Sequence, residues 1–325
     1  MPPFDDTLHP PGGLNDRARA LVDECYYDRQ RLRIGATFTL DGPLILDFGI
    51  NAPGGLEAGL RLAEICLSGH GSVKVLPADR TLWNGAAISV MTDNPVVACM
   101  QSQYAGWKIS GDKFFAMGSG AMRAAAGKEE LFEQIGGRET AEVAVGVLET
   151  RTVPSEEICA NVAKDCRIEV AELALAVAPT ASQAGTVQIV ARSVETALHK
   201  LFELGFDLSR IESAFGTAPL PPVAKNDLAA IGRTNDAILY GGEVTLWVRG
   251  DDDSLAEIAP KAVSAASSDH GALFAELFKR YDHDFYKMDP LLFSPAVVQL
   301  CNLDTGRTFQ AGRLMPELIQ RSFVN

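Results

Sequence analysis

Paired cysteines are missing from this sequence. Its six cysteines (Cys25, Cys66, Cys99, Cys159, Cys166 and Cys301) are scattered, with no C-x-x-C and no histidine at zinc-ligand spacing. That excludes a disulfide scaffold and a zinc ribbon, and is consistent with reduced, buried thiols of a cytosolic protein. Basic charge is also short: 29 Lys and Arg stand against 42 Asp and Glu, a net charge of -13. No basic surface is available in bulk to neutralise phosphates, so nucleic acid and anionic membranes are poor partners. No window approaches the ~18 uninterrupted apolar residues of a membrane span. The opening "MPPFDDTLHPPGG" carries acids where a signal peptide has a basic region, and no apolar core follows. The expectation is a soluble, cytoplasmic protein. G-x-S-x-G, H-E-x-x-H and Cys-His signatures are absent too, and nothing points to a covalent nucleophile.

What is present is apolar mass: 325 residues, 47% hydrophobic, enough for one large core or two ordinary ones. Residues 14–32 have helical spacing, "RIGATFTLDGPLILDFG" reads as two strands around the Asp41-Gly42 turn, and the segment from Glu156 to Cys166 reads as a helix after a Pro154 turn. "GSVKVLPA", "NPVVACMQS" and "AEVAVGVLET" read as strands, and "AILYGGEVTLWV" as a hairpin around Gly241-Gly242. Strands and helices do not alternate regularly. That favours an α+β fold with mixed sheets, in two domains (1–150 and 151–325) with the chain free to cross between them, over a doubly wound parallel sheet. No flexible linker marks residue 150.

The stretch "GTVQIVARSVETALHKLFELGFD", Gly185 to Asp207, is unusual for a helix. On a wheel, Val187, Val190, Val194, Leu198 and Leu201 share one arc about 80° wide, a core face. Gln188, Arg192, Glu195 and His199 share a second arc of about 60°. Ser193, Thr196, Lys200 and Glu203 fill a third, with the composition of a solvent face. The Gln-Arg-Glu-His row suggests the wall of a cleft. Its bland interpretation is a surface ion pair worth a few tenths of a kcal/mol. Its functional interpretation makes Glu195 a general base with its pKa poised by partial burial, and Arg192 the group that orients it or its water. Periodicity alone leaves both open.

Other polar clusters are weaker. "AIGRTNDAILYGG" places Arg233, Thr234, Asn235 and Asp236 at what reads as a strand entrance, either an Asx-type turn or a set of donors and acceptors for a planar, amide-bearing heterocycle. "AMGSGAMRAAAGK" has Arg123 in place of the third glycine of the dinucleotide fingerprint and fails the P-loop pattern, though its glycines suit close backbone approach to a ligand. Asp282, His283 and Asp284 are adjacent, so their side chains diverge and a metal site there is disfavoured. "GDDDS", Asp251 to Asp253, reads as a turn with a helix N-cap, and His9 and His70 sit in Gly/Pro-rich surroundings that suggest no ligand set.

Four segments together carry a resemblance: "SQYAGW" (Ser102 to Trp107), "FAMGSG" (Phe115 to Gly120), "QIVARSVETALHKL" (Gln188 to Leu201) and "GRTNDAILYGG" (Gly232 to Gly242). In this order they resemble the methenyltetrahydromethanopterin cyclohydrolase family. "GLRLAEICL", "LGFD" and "GTAP" extend the likeness, which runs from about residue 45 to 245. After "GSG" the family typically has Pro-Ala-Arg, whereas this chain has Ala121-Met122-Arg123.

The resemblance implies hydrolysis of the cationic methenyl bridge between N5 and N10 of a reduced pterin carrier, giving the N5-formyl derivative reversibly, with no metal or organic cofactor. It implies two α+β domains with a cleft between them, and a homotrimer. An arginine and a glutamate three positions apart line the family's cleft and match Arg192 and Glu195. Gln188, His199, Ser119, Arg233, Asn235 and Asp236 become candidate carrier contacts, with Asp236 pairing to the N–H edge of the pterin. Arg123 and Lys225 are candidates for the anionic tail or the ring. The rival readings are a protein that holds the same carrier without hydrolysing it, and a folate-using cyclohydrolase or dehydrogenase. The missing dinucleotide fingerprint weighs against the last.

Overall fold

The computed structural model describes residues 12–38, 41–282, 284 and 287–324. His9 and His283 lie outside them. Helices α1 (Leu14–Tyr27) and α2 (Arg29–Leu32) precede β1 (Gly35–Thr37) and β2 (Leu44–Asp47), which pair antiparallel as the Asp41-Gly42 turn suggests. Then come α3 (Leu56–Cys66), the antiparallel pair β3 (Ser72–Pro77) and β4 (Ala86–Thr92), and the hairpin of β5 (Trp107–Gly111) and β6 (Phe114–Ser119). Short helices α4 (Met122–Ala126) and α5 (Leu131–Ile135) lead to β7 (Ala144–Glu149), α6 (Glu156–Cys166) and β8 (Leu173–Ala178). Helices α7 (Gln183–Val190) and α8 (Ser193–Glu203) are followed by β9 (Ile211–Pro219), α9 (Asp227–Gly241), β10 (Glu243–Val248), α10 (Asp252–Ile258) and α11 (Phe274–Arg280). Strands β11 (Val297–Asn302) and β12 (Thr308–Gly312) and helix α12 (Pro316–Val324) complete the chain.

The strands form two mixed sheets of six, an α+β architecture as expected: β1-β2-β8-β7-β6-β5 and β12-β11-β10-β9-β4-β3. The sheets do not divide at residue 150. Strands β3 and β4, from the first half, sit in the second sheet, and β8, from the second half, lies at the centre of the first. In β8 all six residues, Leu-Ala-Leu-Ala-Val-Ala, are buried, the continuous apolar run of a parallel strand covered on both faces. One face of this sheet packs on α1 and α3 through Val22, Leu62, Ile65 and Phe48; the other packs on α6 through Ile158, Val162 and Cys166. Helix α6 has the bounds read from the sequence because Ser155 caps it, accepting from Ile158 N, and Arg167 ends it in the left-handed region. The core of the second sheet is filled by α8, α9, α11 and α12, with Val194, Leu198, Tyr240, Phe274 and Ile319 fully buried.

Three local readings need correction. "NPVVACMQS" is not a strand: Val96–Gln103 is a π-helical segment, and its Ala98, Cys99, Met100 and Gln103 are buried. "GRTNDAILYGG" is not a strand entrance followed by a hairpin. It is the body of α9, capped by Asn226 accepting from Ala229 N, and only at Glu243 does the chain become a strand, antiparallel to β9. The stripe-bearing helix is also not continuous, because it breaks at Ala191 and Arg192, where Arg192 has φ -91 and ψ 10. The break redirects the chain: α7 packs beside α3, whereas α8 lies against β9 so closely that a Cβ on Gly216 would meet Ser193 Oγ at 2.6 Å.

Candidate functional site

Arg192 occupies the N-cap of α8, and Glu195 the third position of that helix. The break therefore turns the Arg192 side chain inward at the head of α8. Both residues are buried, Arg192 at 5% and Glu195 at 6% exposure.

The Arg192 guanidinium is held on several sides. Nε donates to Gln188 Oε1 at 2.9 Å, and Nη1 donates to the carbonyl of Gln103. Nη2 donates to Ser119 Oγ at 3.1 Å and to Glu149 Oε1 at 3.2 Å, and lies 3.7 Å from Cys66 Sγ. Gln188 Nε2 reaches the same Glu149 oxygen at 3.3 Å. Five elements thus converge on one cation: α3, α7, β6, β7 and the π-helical segment. Such charge-assisted, multiply bonded arginine geometry fixes the plane of the fork. Burial pushes the Cys66 thiol up, so it stays protonated in this network.

Glu195 is different. Among the described residues its carboxylate has no hydrogen-bond or ion-pair partner, and Arg192 approaches it as a charge rather than as a donor. Burial pushes its carboxyl up to about 7, against the pull of Arg192 and Arg123, while Glu149 adds to the rise. Its place in the first turn of α8 favours the anion but does not overcome burial. The result is a carboxyl that both holds and releases a proton near neutral pH. Beside it, Gln103 donates through Nε2 to Ala191 O at 3.2 Å, and its fully buried Oε1 has no partner among the described residues.

The flank of the cluster is aromatic. Tyr104 stacks on His199 with ring centroids 5.2 Å apart at 24°, and the Arg123 guanidinium lies over the Tyr104 ring, 5.0 Å from its centroid. His199 Nε2 is 3.6 Å from Glu203 Oε1, and burial holds its pKa below the usual imidazole value. Arg123 is fully buried. Its Nε and Nη2 donate to Glu129 at 2.8 and 2.6 Å, and its Nη1 donates to Met100 O and Ser102 O. It is thus a brace of this wall, its donors committed internally rather than offered to an anionic tail.

The structure brings together Arg192, Glu195, Gln188, Ser119 and His199, the last through Tyr104. It does not bring in the cluster on α9. Asp236 is 1% exposed and turned into the protein, accepting from Phe274 N at 2.8 Å and Ser322 Oγ at 2.7 Å, between α9, α11 and α12. Asn235 donates back to Ile231 O along its own helix, and Arg233 donates to Ser322 O and Pro222 O. The expected pairing of Asp236 with a ring edge is corrected: its oxygens serve helix packing, and burial raises its carboxyl to about 7. Lys225 is exposed in the loop between β9 and α9.

The glycines of "GSG" also serve the interior. Gly120, at φ +91, passes within reach of Val145 O, and donates its N–H to Ser102 O at 2.8 Å. The expected solvent arc of α8 is buried in part: Ser193 and Lys200 are fully buried, and Lys200 Nζ donates to Leu291 O. Asp251 caps α10 as expected, accepting from Ser254 N. Asp282 forms an ion pair with Lys287 at 2.7 Å, and among the described residues no group of three or more His, Cys, Asp or Glu is placed to hold a metal ion. No described helix is long and apolar enough to cross a membrane.

Sequence reasoning missed Glu149, Gln103, Cys66 and Tyr104. Glu149 had a signal, an acid closing the otherwise apolar strand "AVGVLE". Gln103 and Tyr104 had one in the polar "QSQY" that ends an apolar run.

The family described as Cyclohydrolase (MCH) matches residues 13–323. A methenyltetrahydromethanopterin cyclohydrolase of Rhodopirellula baltica is 45% identical over 98% of this chain and 98% of its own length. Proteins of the same description from Methylobacillus flagellatus and Xanthobacter autotrophicus are 44% and 47% identical, over 98% and 93% of this chain and 97% and 90% of their own lengths. With a match across almost its entire length, this chain belongs to the MCH cyclohydrolase family.

Proposed function

We propose that the chain is a methenyltetrahydromethanopterin cyclohydrolase: it hydrolyses the cationic N5,N10-methenyl bridge of a tetrahydromethanopterin-type carrier to the N5-formyl form, reversibly. The relatives named for this activity support the reaction class. The observation that carries the mechanism is the buried Glu195 carboxyl, without a partner among the described residues, beside a braced Arg192.

The bridging carbon is an amidinium-like electrophile, so water needs only a base and a position. Glu195 in its ionised form removes a proton from water as oxygen bonds to the bridge carbon. The tetrahedral adduct then collapses: its hydroxyl releases the second water proton to solvent as the formyl C=O forms, the C–N10 bond breaks, and Glu195 returns its proton to N10, so one proton is released overall. One group acts as base and then acid, which a carboxyl of pKa about 7 does well at neutral pH. The anion also favours a cationic substrate before reaction. Arg192 keeps part of the Glu195 population ionised without competing for its lone pairs, because its donors are engaged elsewhere. Tyr104 and His199 supply an apolar, stacked wall suited to a flat ring.

The test is an absorbance assay of purified protein with methenyl carriers of the methanopterin and dephospho types. Loss of the methenyl chromophore with first-order dependence on protein supports the assignment. Binding of the carrier without turnover would make the chain a carrier-holding protein instead.

A further inference from the structure

We propose that Glu149, at the end of β7, is a positioning residue for this reaction: it holds the Arg192 guanidinium in a fixed orientation and offsets its charge against Glu195. The proposal rests on the functional reading above and deepens it. Its basis is the sharing of one cation by two carboxylates on unequal terms. Glu149 Oε1 takes hydrogen bonds from Arg192 Nη2 and Gln188 Nε2, whereas Glu195 takes none among the described residues. Glu149 is therefore the paired anion and Glu195 the working one.

The charged and titratable groups facing Glu195 come from four elements. They are Arg192 at the head of its own helix, Arg123 from α4, Glu149 from β7, and the Cys99 thiol of the π-helical segment. Burial raises Cys99 well above its ordinary value, so it contributes no charge. Two cations and one anion remain. Arg123 is already balanced by Glu129 at 2.6 Å, which leaves Glu149 as the counter-charge to Arg192. Without it, Arg192 would face Glu195 uncompensated, and Glu195 would become a weaker base and a poorer proton donor to N10. Arg192 would also lose one of the bonds that hold the plane of its fork.

Three forms of the whole protein decide this: wild type, Glu149→Gln and Glu149→Asp, each compared with a reference of the same form that also carries Glu195→Gln. Infrared difference spectra against each reference isolate the Glu195 carboxyl and give its titration midpoint without substrate. In Glu149→Gln the amide oxygen still accepts from Arg192 and Gln188 while the charge is gone. The Glu195 midpoint is expected to move to lower pH by about half a unit or more. Turnover is expected to fall roughly ten- to hundredfold. In Glu149→Asp the charge stays but the shorter side chain does not reach Arg192, so the midpoint stays while turnover falls. An unmoved midpoint in Glu149→Gln overturns the proposal, since a purely structural role lowers the melting temperature without moving it. If Glu149→Gln does not fold, Glu149→Asp with wild-type turnover overturns it equally. Should wild type prove inactive on methenyl carriers, the functional reading fails, and the infrared titration still decides what Glu149 does to Glu195.

Discussion

Arg192 and Glu195 stand three positions apart at the head of α8, yet exchange no hydrogen bond: Arg192 spends its donors on Gln188, Gln103, Ser119 and Glu149, the last at 3.2 Å. An i, i+3 surface ion pair would have joined the two directly. The observed separation keeps the arginine's charge near Glu195 while leaving the carboxylate lone pairs unengaged among the described residues.

Arg192→Lys tests the fork. An ammonium keeps the charge but cannot bond Gln188, Ser119 and Glu149 in one plane. Turnover is expected to fall at least about tenfold with the fold intact by circular dichroism. Wild-type turnover would reduce the arginine to a bulk charge.

The pH dependence follows from the direction of the Glu195 shift. In the proposed mechanism hydrolysis needs the ionised form, and burial raises the carboxyl to about 7. Hydrolytic kcat/KM should therefore climb through pH 7 and lose about tenfold per pH unit well below it. A profile flat between pH 5 and 8, read with a stopped-flow absorbance assay, contradicts the assignment.

Asp236 gives a stability prediction in place of a binding one. Its folded-state pKa is raised to about 7 from 3.8, so its contribution to stability is fully present below pH 3.8 and lost as pH rises to about 7. Asp236→Asn mimics the protonated form and keeps an acceptor for Phe274 N. At pH 8 it should melt at a higher temperature than wild type, with KM unchanged, and the difference should vanish at pH 4. A raised KM with no change in melting would return Asp236 to the ligand.

Chelator treatment is expected to leave turnover unchanged, since no described cluster of His, Cys, Asp and Glu is placed to hold a metal. Activity lost on dialysis and restored by one divalent cation would redirect attention to Asp282, His283 and Asp284.

Much of this architecture was legible where one signal dominated. The Pro154-Ser155 turn fixed α6, and the Asp41-Gly42 turn marked the β1–β2 hairpin. The Gln188-Arg192-Glu195-His199 row was visible as a polar stripe, although the helix carrying it breaks at Arg192, which no propensity marks. Misreadings came where local and tertiary preferences compete. "AILYGG" has the aromatic and β-branched content of a strand, but Asn226 starts a helix and packing on α11 and α12 keeps it. The chemistry of Asp236 suits a ligand contact, and only the positions of Phe274 N and Ser322 Oγ reveal its structural use. Glu149 is 43 residues from Arg192 in sequence, and no local pattern joins them.

The most direct measurement is turnover of methenyl carrier by Glu195→Gln, followed as loss of the methenyl absorbance under single-turnover conditions. The amide is nearly isosteric with the carboxyl, so folding and carrier binding should persist. The rate should drop roughly 10² to 10⁴-fold, and its rise through pH 7 should disappear. A Glu195→Gln rate within a fewfold of wild type, with the same pH profile, would contradict the assignment of Glu195 as the base and acid of this reaction.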